Sequence, residues 1–431
     1  MTTEQTTSLL AGLAVMVLLA QVLGALARRF GQPPVIGEVL AGIALGPTFF
    51  HGALSDVLFP STTRPLLSAL AAVGVAVFMF IVGMEWDAAL IRGSGAIAPS
   101  VAICSILLPF ALGTLLGLHL AGAHGNGDRT PFVLFMGIAM SITAFPVLAR
   151  ILTDRGMSRT PLGVVALACA SIDDVLAWSL LAGVVAISGS AGPDQWRILL
   201  AVPFLLAMLF LVRPLLRRAV ERRGTLRLTP SLFASLLAGL LLSAATTEWL
   251  GLHYIFGAFL FGVVLPRSGA EQLRTDVHER LGQMSGTLLL PVFFLVAGLQ
   301  VDLSDVDAAG IGDLGLIMLV AVGGKFLGAF VAARANRMPL RQSAALATLM
   351  NTRGLTELIV LSLGLQLGFL DAELYSLMVV MAVLTTAMTG PLLTWILDRR
   401  TGDGVTDPAT DLSLTPESGR RRRRATGTTA S

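Results

Sequence analysis

The feature that most constrains this chain is a long series of apolar runs, each about twenty residues in length and bounded by Arg, Asp, Gly or Pro. An apolar run of that length is sufficient to cross the hydrocarbon core of a membrane as a helix. Only 13% of the 431 residues are charged, against about one quarter in soluble domains. An ordinary soluble enzyme is therefore excluded, and the sequence predicts an all-α polytopic membrane protein. We predict thirteen transmembrane helices, at about residues 7–27, 35–50, 65–83, 95–118, 130–153, 162–187, 195–218, 229–247, 251–266, 285–302, 311–333, 341–367 and 373–398.

The distribution of arginine tests this arrangement. An odd number of helices places the two termini on opposite sides of the membrane. With the C-terminus in the cytoplasm, 25 arginines fall on cytoplasmic segments, and only Arg64, Arg129 and Arg197 fall on outer loops. That excess is what the positive-inside rule requires. We therefore expect a multi-pass protein of the plasma membrane with its N-terminus outside and its C-terminus in the cytoplasm.

A weak internal repeat relates the two halves of the chain. The segment VFMFIVGMEWD at 77–87 resembles VFFLVAGLQVD at 292–302, with four of eleven positions identical. Seven predicted helices separate the two copies, so they cross the membrane in opposite directions. The second and ninth helices, and the fifth and twelfth, pair at a similar offset. Inverted repeats of about five helices are typical of secondary transporters, which bind substrate near the middle of the bilayer.

Two acids and the single lysine lie deep within predicted helices. Asp173 and Asp174 are 11 to 13 residues from the start of the sixth helix, about 17 to 20 Å into the membrane at 1.5 Å per residue. Each carboxylate costs roughly 2.5 to 3.5 kcal/mol there, which favours a functional role. Neighbouring helical residues point about 100° apart, so one acid can face a partner and the other a cavity. Lys325, near the middle of the eleventh helix, is a candidate partner for Asp173.

Two predicted helices carry features that interrupt a helix. In the fifth, SITAFPVLARIL contains Pro146, so we expect the chain to unwind near Thr143. In the twelfth, MNTRGLTELIVL places Arg353 and Glu357 four residues apart, where they can pair. Two crossed, discontinuous helices would present carbonyl oxygens and the Thr143 side chain to a cation. Arg353 and Glu357 would compensate the charges at the ends of the half-helices.

The remaining sequence argues against several other kinds of site. The five histidines are scattered and the two cysteines lie in separate apolar segments, so we predict neither a metal site nor a disulfide framework. Nucleotide-binding motifs are absent, and we expect no cofactor, no use of ATP and no nucleic-acid partner. Glu38 is either an interfacial or a functional carboxylate. Residues 399–431 are predicted to be a disordered basic cytoplasmic tail, which either contacts anionic lipid or is simply solvated.

Five segments together resemble a known family, the monovalent cation:proton antiporters with the sodium/hydrogen exchanger fold. The likeness is greatest to the branch that holds plant cation/proton exchangers and bacterial potassium-efflux antiporters, and it extends over about residues 8–397. The resemblance implies a homodimer with elevator-type alternating access. It assigns a dimer domain to about 7–83 and 229–302, a mobile core domain to about 95–187 and 311–398, and a linker helix to 195–218. The segments are QPPVIGEVLAGIALGP, SITAFPVLARIL, ASIDDVLAW, GKFLGAF and MPLRQSAALATLMNTRGLTELIVL.

The resemblance also implies roles for individual residues. Asp174 matches the acid that binds cation and proton in turn, and Lys325 matches the family's core lysine. Asp173 stands where many members of this branch have Asn or Gln, and an acid there indicates electrogenic exchange of two protons per cation. The alternatives are an electroneutral K⁺/H⁺ antiporter of the potassium-efflux type, or a non-transporting sensor with the same fold. An intramembrane aspartyl protease does not fit, because Asp173 and Asp174 lie on one helical turn. The choice between Na⁺ and K⁺ stays open.

Overall fold

The computed structural model describes residues 2–49, 52–85, 97–125, 129–188, 195–223, 228–267, 269–304 and 306–398. Within these ranges the chain is helical and contains no β-strand, as predicted. The helices are α1 Thr3–Arg29, α2 Pro34–Leu45, α3 Ala53–Leu58, α4 Arg64–Glu85, α5 Ile97–His124, α6 Arg129–Ser141, α7 Phe145–Asp154, α8 Pro161–Ser188, α9 Ala201–Ala207, α10 Arg213–Arg223, α11 Pro230–Trp249, α12 Tyr254–Val264, α13 Glu271–Met284, α14 Leu290–Leu299, α15 Ala308–Ala335, α16 Leu340–Met350, α17 Leu355–Gln366 and α18 Ala372–Asp398.

Nine helical segments in the described part of the chain are long and apolar enough to cross a membrane. They coincide with nine of the thirteen predicted helices. The other four predicted segments, the second, seventh, ninth and twelfth, contain helices that are short or interrupted. The count of thirteen and the inverted repeat therefore stay predictions. Residues 86–87 of the repeat and the predicted tail at 399–431 lie outside the described residues.

One helix extends well beyond its predicted bounds. The tenth predicted helix spans 285–302, but the helical chain begins at Glu271 and passes through a π-helical turn at Ser285–Leu289 into α14. The missed part, α13, is polar overall and buries only one face, with Leu273, Val277 and Leu281 at four-residue intervals. A search for continuous apolar runs does not detect such an amphipathic helix.

The helices pack as two sets. Helices α1, α2, α4, α11, α12 and α14 contact one another. The helices α5, α6, α7, α8, α15, α16, α17 and α18 form another group in contact. The contacts between the two sets include α14 with α17 and α2 with α18. We call the two groups of helices, in the order given, the first set and the second set. They cover the ranges that the family resemblance assigns to the dimer and core domains, and the roles of those domains remain predictions.

A glycine sets the distance between two helices of the second set. A Cβ atom added to Gly328 of α15 would lie 2.4 Å from the Cys104 carbonyl oxygen of α5. That is much closer than two such atoms can approach. The two backbones therefore pack in direct contact, and this contact fixes the position of Lys325, which lies one turn before Gly328.

We expect Gly328→Ala to lower the stability of the protein by about 1 to 3 kcal/mol, because the added methyl group must displace α15 from α5. Gly323→Ala is a matched control on the same helix, since a Cβ atom at Gly323 would meet nothing within 4 Å. Thermal unfolding in detergent should show a clear decrease in Tm for the first variant only. Equal Tm values for the two variants would contradict the packing described here.

Candidate functional site

Asp173 lies at the centre of a buried polar cluster and is fully inaccessible to solvent. Its Oδ2 atom is 2.9 Å from Lys325 Nζ, 2.8 Å from the Thr143 hydroxyl and 3.1 Å from the Ser105 hydroxyl. The four residues come from α8, α15, the chain between α6 and α7, and α5. The structure thus brings together the acid and lysine that the sequence suggested as partners, and it supplies the additional donors that a buried carboxylate needs.

Lys325 has a second acceptor. Its ammonium group also donates to the carbonyl oxygen of Ser141, the last residue of α6. The last carbonyls of a helix carry partial negative charge and lack partners within the helix. Lys325 therefore connects the charge of Asp173 to the end of an interrupted helix, and both charged side chains of the pair are completely buried.

Asp174 is the neighbouring residue, but its surroundings are different. It is buried, with 4% of its surface accessible, and its Oδ1 atom accepts no hydrogen bond from the described part of the chain. The rotation of about 100° between neighbouring helical residues directs it away from the Asp173 cluster. A buried carboxylate without donors must be neutralised by a proton or by a cation. Of the two acids, Asp174 is thus the one with a buried oxygen that accepts no hydrogen bond within the described residues.

The two predicted helix interruptions are present, and they contact each other. The first separates α6 from α7, and the second separates α16 from α17. The Ala144 amide in the first gap donates to the Thr352 carbonyl in the second, at 3.0 Å. The Thr143 hydroxyl lies 3.1 Å from the Met350 carbonyl and, having one hydrogen, donates either to it or to Asp173. The backbones of two distant segments thus satisfy each other in place of water, as buried backbone within a membrane must.

Each interruption has a local cause. Pro146 is the second residue of α7 and has no amide hydrogen, so it can begin a helix but cannot continue one from α6. Gly354, just before α17, has a φ angle of +135°. Residues with a side chain rarely adopt that conformation, whereas glycine adopts it without strain because it has no Cβ atom. In the sequence, Pro146 is the signal for the first interruption. The polar NTRG segment was the signal for the second.

Arg353 and Glu357 occupy the ends of the half-helices. Arg353 is completely buried, and its Nη1 and Nη2 atoms donate to the carbonyls of Ala139 and Met140 at 2.7 and 2.5 Å. Those carbonyls belong to the last turn of α6. Nη1 also lies 3.1 Å from Oε2 of Glu357, which is in the first turn of α17. Each charge thus lies at the helix end of opposite polarity. The role of these charges in compensating the half-helices stays a prediction.

Ser105 is the site residue that the sequence analysis missed. It lies in the apolar segment CSILLP of α5 and resembles any other small polar residue of a transmembrane helix. Its partner, Asp173, is 68 residues away. No spacing rule relates the two positions, so only the packing of α5 against α8 reveals the contact.

A cavity separates the two sets of helices at the arginine-rich end of the bundle. It has a volume of about 310 Å³ and lies between α1, α2, α7 and α14. Its lining includes Arg28, Arg150, the half-buried Glu38, and Pro146 beside the first helix interruption. The cavity thus reaches from the arginine-rich end to the first turn of α7.

At the opposite end the two sets are joined by hydrogen bonds. The Tyr375 hydroxyl of α18 donates to the Ala297 carbonyl of α14 at 2.9 Å. The Asp302 amide, just after α14, donates to the Ser376 hydroxyl at 2.9 Å. We call these two bonds the α14–α18 contact. The sets are also joined at the arginine-rich end, where Gln32 Nε2 donates to the Ala387 carbonyl of α18 at 3.1 Å. Hydrogen bonds thus connect the sets at both ends, and the cavity lies at the arginine-rich end.

Comparison with known sequences identifies relatives over nearly the whole chain. The profile of the transmembrane region of sodium/hydrogen exchangers matches residues 14–399. The Na⁺/H⁺ antiporter NhaS4 of Synechocystis sp. is 39% identical over 399 residues, which are 89% of this chain and 96% of that protein. Cation/H⁺ antiporter 20 of Arabidopsis thaliana is 36% identical over 88% of this chain, and K⁺/H⁺ antiporter 1 of Saccharomyces cerevisiae is 32% identical over 87%.

The relatives differ in length. The matched region is 47% of the plant protein and 44% of the yeast protein, so this chain spans about half the length of those two relatives. Among solved structures, the sodium proton antiporter MjNhaP1 of Methanocaldococcus jannaschii has a TM-score of 0.63 at 15% identity, covering 91% of this chain and 96% of that one. At that identity the likeness concerns the fold alone.

We expect Arg353→Ala and Glu357→Ala each to destabilise the protein by about 3 to 5 kcal/mol, because each leaves a buried charge without its partner. The double variant should be less unstable than the sum of the two single effects. Thermal unfolding in detergent measures all three. Arg341→Ala, at an exposed arginine near the start of α16, is the control. Strictly additive effects in this cycle would show that Arg353 and Glu357 do not stabilise each other.

Proposed function

Because the chain belongs to the sodium/hydrogen exchanger family, we propose that this membrane protein exchanges a monovalent cation, Na⁺ or K⁺, for protons. The family consists of antiporters and not of enzymes. The observation that carries the proposal is the contrast between two neighbouring acids. Three side chains able to donate lie within hydrogen-bonding distance of Asp173, whereas Asp174 is buried beside it with an oxygen that accepts no hydrogen bond from the described residues. The second acid is therefore the shared binding site for cation and proton.

Coupling follows from the burial of Asp174. An uncompensated carboxylate in a medium of low polarity is strongly disfavoured, so the empty and charged state is rarely populated. The group crosses the membrane either with a proton or with a cation, and each displaces the other. Backbone oxygens of the chain between α6 and α7, with Thr143, supply further ligands of the kind that alkali cations accept.

The Asp173–Lys325 pair provides a second proton. Bringing a cation next to Asp174 raises the positive charge beside the Lys325 ammonium and weakens its hold on a proton. Release of that proton accompanies release of the one from Asp174, so two protons leave for each cation that enters. One net charge then moves per cycle, and the exchange is electrogenic.

Alternating access requires that the site open to one side at a time. The cavity at the arginine-rich end and the α14–α18 contact at the other end support an inward-facing arrangement, given that the arginine-rich end is predicted to be cytoplasmic. In the proposed transport cycle the second set of helices moves as an elevator against the first. The first set forms the interface of a homodimer in the plasma membrane.

Electroneutral K⁺/H⁺ exchange is the alternative transport scheme, and the name of the yeast relative, K⁺/H⁺ antiporter 1, favours keeping it. It predicts one proton per cation and no response to membrane potential. A non-transporting sensor on the same fold predicts no salt-dependent proton movement at all. Salt-driven proton movement and its response to membrane potential separate the three schemes.

Asp174→Asn should abolish proton movement in proteoliposomes when Na⁺ or K⁺ is added, because the amide keeps the shape of the acid but neither titrates nor carries charge. A pH-sensitive dye inside the vesicles measures the movement. Asp56→Asn, at an exposed acid paired with Arg64, is a control that should leave the rate unchanged. Normal exchange by Asp174→Asn in a well-folded sample would refute the assignment of the site.

Transport driven by a pH gradient should generate a membrane potential, and the rate should respond to a clamped potential. Asp173→Asn and Lys325→Gln should each reduce the charge moved per cation, since each removes the group that holds the second proton. A potential-sensitive dye and a radioactive cation measured together give this ratio. A wild-type rate that ignores voltage would favour the electroneutral scheme.

A further inference from the structure

A second cluster of titratable groups, built around a buried histidine, lies at the end of the bundle that carries the α14–α18 contact. His124, the last residue of α5, has only 5% of its side chain exposed. Its Nδ1 atom is 2.8 Å from Asp371 Oδ2, and its Nε2 atom is 3.4 Å from Asp313 Oδ2. Asp313 belongs to α15, and Asp371 directly precedes α18. One imidazole ring thus joins three elements of the second set, far from the Asp173 cluster.

The geometry of this cluster depends on the protonation of His124. A neutral imidazole has one N–H group, so it can donate to one of the two aspartates and presents a lone pair to the other. The imidazolium ion has two N–H groups and can donate to both. Glu373, in the first turn of α18, adds further negative charge near the ring. Arg129, at the start of α6, donates instead to the Leu118 carbonyl. Burial of the ring opposes its protonation, whereas the acids that face it among the described residues favour the imidazolium form.

The same cluster holds the first turn of α18. Asp371 accepts a hydrogen bond from the Leu374 amide at 2.7 Å through Oδ1, the oxygen that does not face His124. Such a contact fixes the start of a helix. The next two residues, Tyr375 and Ser376, make the α14–α18 contact. A single turn of chain thus connects the imidazole to the hydrogen bonds between the two sets of helices.

We propose that His124 is a pH-sensitive clamp on the α14–α18 contact. The protonated ring holds Asp371 and Asp313 together and keeps the first turn of α18 in position against α14. Loss of one proton from the ring removes one of the two hydrogen bonds, so the first turn of α18 separates from α14 more often. Under the proposed function, on which this consequence rests, the clamp favours the inward-facing arrangement when the solution outside is acidic. It makes the exchange rate depend on external pH separately from the protons that are transported.

Hydrogen–deuterium exchange of the full-length protein in detergent tests the clamp without measuring transport. The peptides to follow cover residues 371–377 and 297–303, at pH values of about 5.5 and 8, on either side of the usual histidine pKa. After correction for the intrinsic exchange rate, we expect these amides to be about tenfold better protected at the lower pH. A factor of that size is typical of the loss of one hydrogen bond to a charged group.

Four variants decide the interpretation. His124→Gln cannot titrate, so its protection should not change between the two pH values, whereas His119→Gln, at an exposed histidine on the same helix, should behave as the wild type. In Asp313→Asn the new side-chain amide can donate to the lone pair of a neutral ring, so the protection of the two peptides should again be independent of pH. This variant keeps the test valid if His124→Gln folds poorly. Tyr375→Phe should lower protection at both pH values.

Two results would overturn the proposal. One is wild-type protection that is independent of pH, and the other is a pH response in His124→Gln as large as that of the wild type. Asp174→Asn separates this inference from the proposed function, because the clamp should respond to pH in that variant even though the binding acid is gone. If Asp174→Asn loses the response and His124→Gln keeps it, the protons act at Asp174 and the clamp does not exist.

Discussion

The buried contact between Asp173 and Lys325 is the interaction on which the arrangement of the second set of helices depends. An ion pair inside a membrane protein is tolerated only when its remaining donors and acceptors are satisfied. Here those partners are the Thr143 and Ser105 hydroxyls and the last carbonyl of α6. The charges therefore dictate that α5, α8, α15 and the first helix interruption meet at one depth. Asp174 lies outside this network, and its Oδ1 atom accepts no hydrogen bond within the described residues.

The same principle, that charge in a membrane needs a specific partner, explains how much could be predicted from the sequence. Asp173, Lys325, Arg353 and Glu357 could be found because each is expensive in an apolar helix. The pairing of Arg353 with Glu357 followed from their spacing of four residues. The depth of Asp173 and Lys325 followed from counting residues along a helix, and it suggested their contact. Pro146 located one interruption because its chemistry forbids a continuous helix.

Other features could not be predicted, for reasons that are equally physical. A serine hydroxyl costs little in a transmembrane helix, so Ser105 carries no signal. In the His124 cluster, the histidine contacts aspartates that lie 189 and 247 residues further along the chain. No local sequence pattern encodes such separations. Helix α13 buries one face and exposes the rest, so its average hydropathy conceals it. The number of membrane crossings is likewise ambiguous where α2 and α12 are shorter than a full span.

The contact between the two helix interruptions has a consequence for biosynthesis. Thr143 and its carbonyl partner at Met350 are 207 residues apart. At about 5 to 20 residues per second, a ribosome needs roughly 10 to 40 seconds to make the intervening chain. During that interval the open backbone between α6 and α7 has no protein partner, and lipid cannot satisfy it. The nascent chain must keep this segment hydrated or held within the translocation machinery until the second half arrives, so insertion of the first half is complete only when the second half has been made.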